Sequence, residues 1–159
     1  MPSSYKLLKA ALERVERARI APQLGEPLFY VTQLASGGRG RGRGVEEGRR
    51  VHKLIWGLDP YDVLNAEELA TPLPLAWRFR FGWVLGVADL VAFKRGVPVS
   101  VVEVKSYPLV KRSERVQASL YGLLVMLNFC VKPRVLVVAD GVEEEVRDWE
   151  LLALEALQS

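Results

Sequence analysis

Apolar residues at Leu7, Leu8, Ala11, Leu12 and Val15 recur at the helical period with charges opposite them, and predict an amphipathic helix over 4–19. "PLFYVTQLA" (27–35) is too short to separate a strand from the opening of a helix. The glycine-dense "SGGRGRGRG" (36–44) cannot hold regular structure and reads as a mobile loop. Helical spacing resumes at 45–58, where Val45, Val51, His52, Ile55 and Trp56 share a face, and "DPYD" and the proline-broken "TPLPL" close that unit. From Trp77 the period changes to two. "WRFRFGWVLGVADLVAFKRG" predicts strands over 76–83 and 84–94, with "KRGVP" turning into a third strand over 98–106. A helix over 111–130, a buried strand over 134–140 and an amphipathic helix over 143–158 complete the pattern.

That order is helix, three strands, helix, strand, helix, with no repeat and no dividing linker. It predicts one α/β domain over 1–159, a central mixed sheet flanked by helices. The length of 159 residues suits one sizeable core, and 50% apolar with 26% charged residues is ordinary for a folded chain. A single cysteine, Cys130, excludes an internal disulfide and any cluster held by several of the chain's own thiolates. The longest apolar run, "YGLLVMLNFCV" (121–131), falls far short of the ~20 residues that span a bilayer. The N-terminus has no signal-peptide core, so the expectation is a cytoplasmic protein without a membrane partner. Two asparagines and four glutamines against abundant Arg, Glu, Val and Leu hint at a thermophilic source.

Charge changes the picture in one place. Arg39, Arg41, Arg43, Arg49, Arg50 and Lys53 face only Glu46 and Glu47, six cations against two anions, a net of +4 beside +3 for the whole chain. This segment reads either as a solvated loop or as an arm that grips phosphate; arginine forks match phosphate oxygens and favour the arm. No Gly-Lys-Ser/Thr follows, so it is not a nucleotide-binding P-loop. Lys111, Arg112 and Arg115 form a second basic group at a helix start, read as tracking DNA or as a solvated turn.

The candidate chemistry lies in "SVVEVKSYP" (100–108). Strand alternation puts Glu103 and Lys105 on one face and Val102 and Val104 on the other, where the valines are expected to pack the core. On spacing alone this is a solvated Glu–Lys pair. Asp89, set among Val, Leu and Phe in the preceding strand, changes that reading. A hairpin centred near residue 96 brings Asp89 opposite Glu103, and two carboxylates so placed repel unless a cation joins them. Gln117 and Tyr121, at i and i+4, share one face of the following helix.

Asp, then Glu-x-Lys on the next strand, then Gln-x-x-x-Tyr on a helix resembles the PD-(D/E)xK nuclease superfamily, and in particular its RecB-like branch. That branch carries Gly-x-x-x-His in a helix before the strands, matched here by Gly48 and His52. "FYVTQLASGGR" is similar to the Thr-x-Leu segment of CRISPR-associated RecB-like exonucleases, but Ser36 and Gly37 stand where those enzymes have a cysteine. Their C-terminal cysteines are absent as well, so no iron–sulfur cluster is expected. The resemblance covers about residues 29–140.

The resemblance implies a restriction-endonuclease-like core and metal-dependent hydrolysis of DNA at single strands or ends. Mg²⁺ or Mn²⁺ would be held by Asp89, Glu103, the Val104 carbonyl and His52, the imidazole suiting Mn²⁺. Lys105 would hold the attacking water or offset transition-state charge, with Gln117 and Tyr121 positioning it, the water or a phosphate. A junction-resolving endonuclease and a non-catalytic DNA-binding or assembly subunit are the alternatives. Oligomeric state and a nuclease-complex partner stay open.

Overall fold

The computed structural model describes residues 4–36, 60–105 and 110–158. The first helix, α1 (Ser4–Ile20), follows the predicted stripe and buries Leu8, Ala11, Val15 and Ala18. A 3₁₀ turn (Ala21–Leu24) leads into β1 (Leu28–Tyr30) and then directly into α2 (Val31–Ala35). The ambiguous segment 27–35 is therefore both elements in succession. The Tyr30 N–H donates to the Gln33 side-chain carbonyl at 3.1 Å, satisfying one of the unpaired donors at the start of α2. After α3 (Pro60–Asn65) come β2 (Glu68–Phe79), β3 (Gly82–Lys94) and β4 (Val97–Val104), then α4 (Arg112–Phe129), β5 (Arg134–Ala139), β6 (Val142–Glu145) and α5 (Trp149–Gln158).

The six strands form one mixed sheet. Along it β1, β3, β4, β5 and β6 are neighbours in that order, with β2 against β3. The β1–β3 and β4–β5 pairs are parallel; β2–β3, β3–β4 and β5–β6 are antiparallel. The parallel β4–β5 pair requires a crossover, and α4 supplies it. The helices close the core on the sheet: Leu73, Leu75, Val84, Val91, Val101, Val135 and Val137 lie in one cluster with Leu120, Leu124 and Phe129 of α4. This is the mixed α/β core with helices around a central sheet that the pattern predicts.

Tight geometry locks α4 onto the sheet. A Cβ on Gly86 would come within 2.8 Å of both Tyr121 Cε1 and Val31 Cγ2, so only glycine lets the tyrosine ring lie against β3. At its far end α4 is tied by Asn128, whose amide donates to the Ala76 carbonyl at 3.1 Å and to Leu124 at 2.8 Å. Asn128 in turn accepts from Arg14 at 2.9 Å, and the Arg14 guanidinium sits 4.6 Å from the Trp77 ring centre.

Three expectations change. "TPLPL" does not end a unit; β2 runs through Pro72 and Pro74. Proline cannot donate to a ladder, but among the described residues β2 pairs with β3 alone, and an edge strand tolerates it. Residues 143–145 are strand rather than helix, because Glu144 and Glu145 meet Arg115 and Arg134 from neighbouring elements. The valine face of β4 is the outer one: Val104 is 49% exposed while Glu103 is 0% exposed. No helix among the described residues is long and apolar enough to cross a membrane.

Candidate metal centre between β3 and β4

A two-residue turn joins β3 to β4, with Arg95 and Gly96 both at positive φ (52° and 79°), the backbone that matches strand twist in a tight hairpin. Lys94 faces Val97 and Phe93 faces Pro98; then Val99 bulges out, and Ala92, Val91 and Leu90 face Ser100, Val101 and Val102. The next pair outward is Asp89 and Glu103. The extra residue at Val99 thus shifts the register by one and sets acid opposite acid. On the other side of β3, Asp89 and Leu90 together oppose Pro72, a second bulge in the ladder. Pro72 has no N–H to give there, which is the sequence signal for that irregularity.

The two acids are bound into the backbone and into each other. The Asp89 N–H donates to Glu103 Oε1 at 3.1 Å, and the Val104 N–H donates to Asp89 Oδ2 at 2.9 Å. From α4, Gln117 Nε2 donates to Glu103 Oε2 at 3.3 Å. Glu103 is fully buried, whereas Asp89 is half-buried. Burial first, and then the neighbouring Asp89 carboxylate, push the Glu103 carboxyl well above its ordinary range; Lys105 pulls weakly the other way. Lys105 follows the last residue of β4, half-buried, with its N–H donating to the Val138 carbonyl at 2.8 Å.

Carboxylate oxygen is the donor type that a hard divalent cation takes. Two neighbouring carboxylates, one of them desolvated, carry a repulsion that either a proton on Glu103 or a cation between them removes. Among the described residues, no three His, Cys, Asp or Glu side chains gather where a metal ion would sit. His52, the expected nitrogen ligand, lies outside the described residues, as do Arg39, Arg41, Arg43, Arg49 and Arg50.

The other expected residues divide. Gln117 meets Glu103 rather than Lys105. Tyr121, one turn on, is 0% exposed against Gly86 and is part of the core, out of reach of a phosphate at the surface. Arg115 is engaged within the chain: its guanidinium binds Glu144 through two bonds of 2.6 and 3.1 Å. Arg112 lies 3.6 Å from Glu155, and both are exposed. Lys111 precedes α4, its N–H donating to the buried Glu114 carboxylate at 2.9 Å. Sequence reasoning missed the Arg115–Glu144 clamp, which ties the start of α4, and hence Gln117, to β6. Nothing local announces it, since the partners are 29 residues apart.

No protein-family model matches the chain, and no curated protein does. A solved crystal structure, that of SSO0001, is similar over 96% of this chain and 84% of its own, at 19% identity and a TM-score of 0.38. A likeness this loose carries no argument about the site.

Proposed function

We propose that the protein is a metal-dependent nuclease that hydrolyses phosphodiester bonds of DNA, as a RecB-like exonuclease acting on single strands or ends. The observation that carries this reading is the Asp89–Glu103 pair, set opposite each other across the β3–β4 hairpin by the bulge at Val99 and followed by Lys105. The sheet order around it resembles the restriction-endonuclease-like core.

Asp89 and Glu103 would hold Mg²⁺ or Mn²⁺, with the Val104 carbonyl and His52 as further donors. When bound there, the cation supplies Lewis-acid polarisation of the scissile phosphate and lowers the barrier to deprotonating water. The chain's own contribution is orientation and charge. Gln117 and the Asp89 N–H fix both Glu103 oxygens, and the Val104 N–H fixes one Asp89 oxygen. The Lys105 ammonium offsets negative charge that builds on phosphate in the transition state.

Cleavage of end-labelled single- and double-stranded DNA with Mn²⁺ or Mg²⁺ tests the assignment. Asp89→Ala, Glu103→Ala and Lys105→Ala should each lose cleavage with the fold intact; wild-type cleavage by all three variants sinks it. The full burial of Glu103, with both oxygens already accepting from protein donors, favours one rival: a DNA-binding module that no longer takes up metal. Calorimetry separates them, because the rival binds DNA with no heat from millimolar Mn²⁺.

A further inference from the structure

Seven consecutive residues, "WRFRFGW" (77–83), hold four aromatics and two arginines and no acid. They span the turn between β2 and β3, at the Gly82 end of β3, whereas Asp89 lies mid-strand. Phe79 faces Gly82 in the last ladder pair, and Arg80 and Phe81 make the two-residue loop beyond it. The Phe79 and Phe81 rings are stacked, 5.5 Å apart at 1° to each other. Phe29 of β1 packs edge-on against Phe81, also at 5.5 Å. Phe29 and Phe79 are half-buried, and Phe79 packs against the core. Phe81 lies past the ladder and stays 39% exposed. Core packing accounts for Phe79 but not for Phe81, whose remaining surface is exposed beside the Phe29 and Phe79 rings.

Charge says what fits on such a surface. Arg80 is exposed and makes no ion pair with a described residue; Arg78, 65% exposed, lies 3.5 Å from Glu26. Arg17, 53% exposed, approaches the same Glu26 at 3.8 Å, so two arginines share one described carboxylate and Arg80 pairs with none. A rigid exposed ring beside an excess of guanidinium groups is complementary to a partner that offers flat π faces and anionic charge at short intervals. Single-stranded nucleic acid is that partner, because its bases are free to stack, whereas a duplex hides them.

We propose that the β2–β3 turn is a single-strand stacking platform, with Phe81 taking a base on its free face and Arg80 holding an adjacent phosphate. The choice of substrate class rests on the nuclease reading; the platform itself is a binding site and is tested as one. Asp89 is seven residues from Gly82, about 23 Å along β3, so a strand on the platform extends several nucleotides before it reaches the acids.

The test measures binding of a fluorescein-labelled oligothymidylate of about 15 nucleotides by anisotropy, in metal-free buffer with chelator and with the oligonucleotide checked for integrity afterwards. Phe81→Ala should weaken binding about tenfold, the size of one lost base–aromatic stack, and Phe81→Trp should restore it. Arg80→Ala should weaken it and reduce the salt slope by about 0.7, as for one phosphate on a single strand. Blunt duplex should be unaffected by Phe81→Ala. The platform is overturned if Phe81→Ala and Arg80→Ala bind like the parent with unchanged circular dichroism, or if duplex binding falls equally. It is likewise overturned if the turn instead governs binding to anionic vesicles and not to the oligonucleotide. These outcomes are independent of the cleavage reading: a protein whose Glu103→Ala variant still cuts DNA fails the nuclease assignment while its turn can still bind a strand.

Discussion

Asp89 and Glu103 each hold the other's strand: the Asp89 backbone N–H donates to the Glu103 carboxylate at 3.1 Å, while the Asp89 carboxylate accepts from Val104, next after Glu103, at 2.9 Å. Each acid is thus both a candidate ligand and a piece of the hairpin. Their contact is repulsive between like charges and attractive through the backbone, so the two roles separate under substitution.

Glu103→Gln keeps an acceptor for the Asp89 N–H and removes the buried charge. In metal-free buffer with chelator it should raise stability by about 1 kcal/mol, or roughly 2–4 °C in Tm for a domain of this size, while abolishing cleavage. A thermal melt beside a cleavage assay checks both. A lower Tm would mean that the carboxylate stabilises the hairpin more than its charge strains it.

Metal binding and catalysis should come apart at Lys105. On the proposed reading, millimolar Mn²⁺ should stabilise the parent thermally and Asp89→Ala should lose that effect, since it removes a proposed ligand. Lys105→Ala should keep that stabilisation and still fail to cut. Equal loss of Mn²⁺ stabilisation in both variants would place Lys105 among the groups that build the site rather than those that act in it.

Gly86→Ala tests the seat of α4 on β3. A Cβ 2.8 Å from Tyr121 and Val31 forces one of them to move, and overpacking of this kind costs about 1–3 kcal/mol. Chemical denaturation should show that loss, and Tyr121→Phe, which leaves the ring in place, should not rescue it.

Acid should weaken the Arg115–Glu144 clamp. The hydrogen bond from Arg115 holds the Glu144 carboxyl below its ordinary value of 4.5. A lowered carboxyl pKa gives stability that is present above the unfolded-state value and is lost as pH falls through the folded one. Both partners are more than a third exposed, so solvent screening limits the gain to less than about 1 kcal/mol. Glu144→Gln should therefore lower Tm slightly at pH 6 to 7, and the gap to the parent should narrow as pH falls below 4.5 and through the lowered folded-state value.

The site and the sheet were legible in the sequence to different depths. The Asp89–Glu103 pairing follows from a glycine turn and flanking apolar runs, all local. The structure reaches it by another route, a two-residue turn plus a bulge at Val99 in place of a turn centred on residue 96. Which face of β4 is inward was not legible. Val101, Val102 and Val104 supply apolar groups to both sides, and only the position of α4 decides. Pro72 and Pro74 read as breakers because edge status belongs to the assembled sheet. The acids at 143–145 read as helix because the arginines that neutralise them come from α4 and β5.

The anchorage of Asn128 gives α4 a longer reach than its contacts suggest. Arg14 and the Ala76 carbonyl grip the helix eleven residues beyond Gln117, about 16 Å away along a stiff rod. Slack introduced at that remote corner would travel down the rod toward the amide beside Glu103, leaving the Arg115–Glu144 clamp alone to steady it.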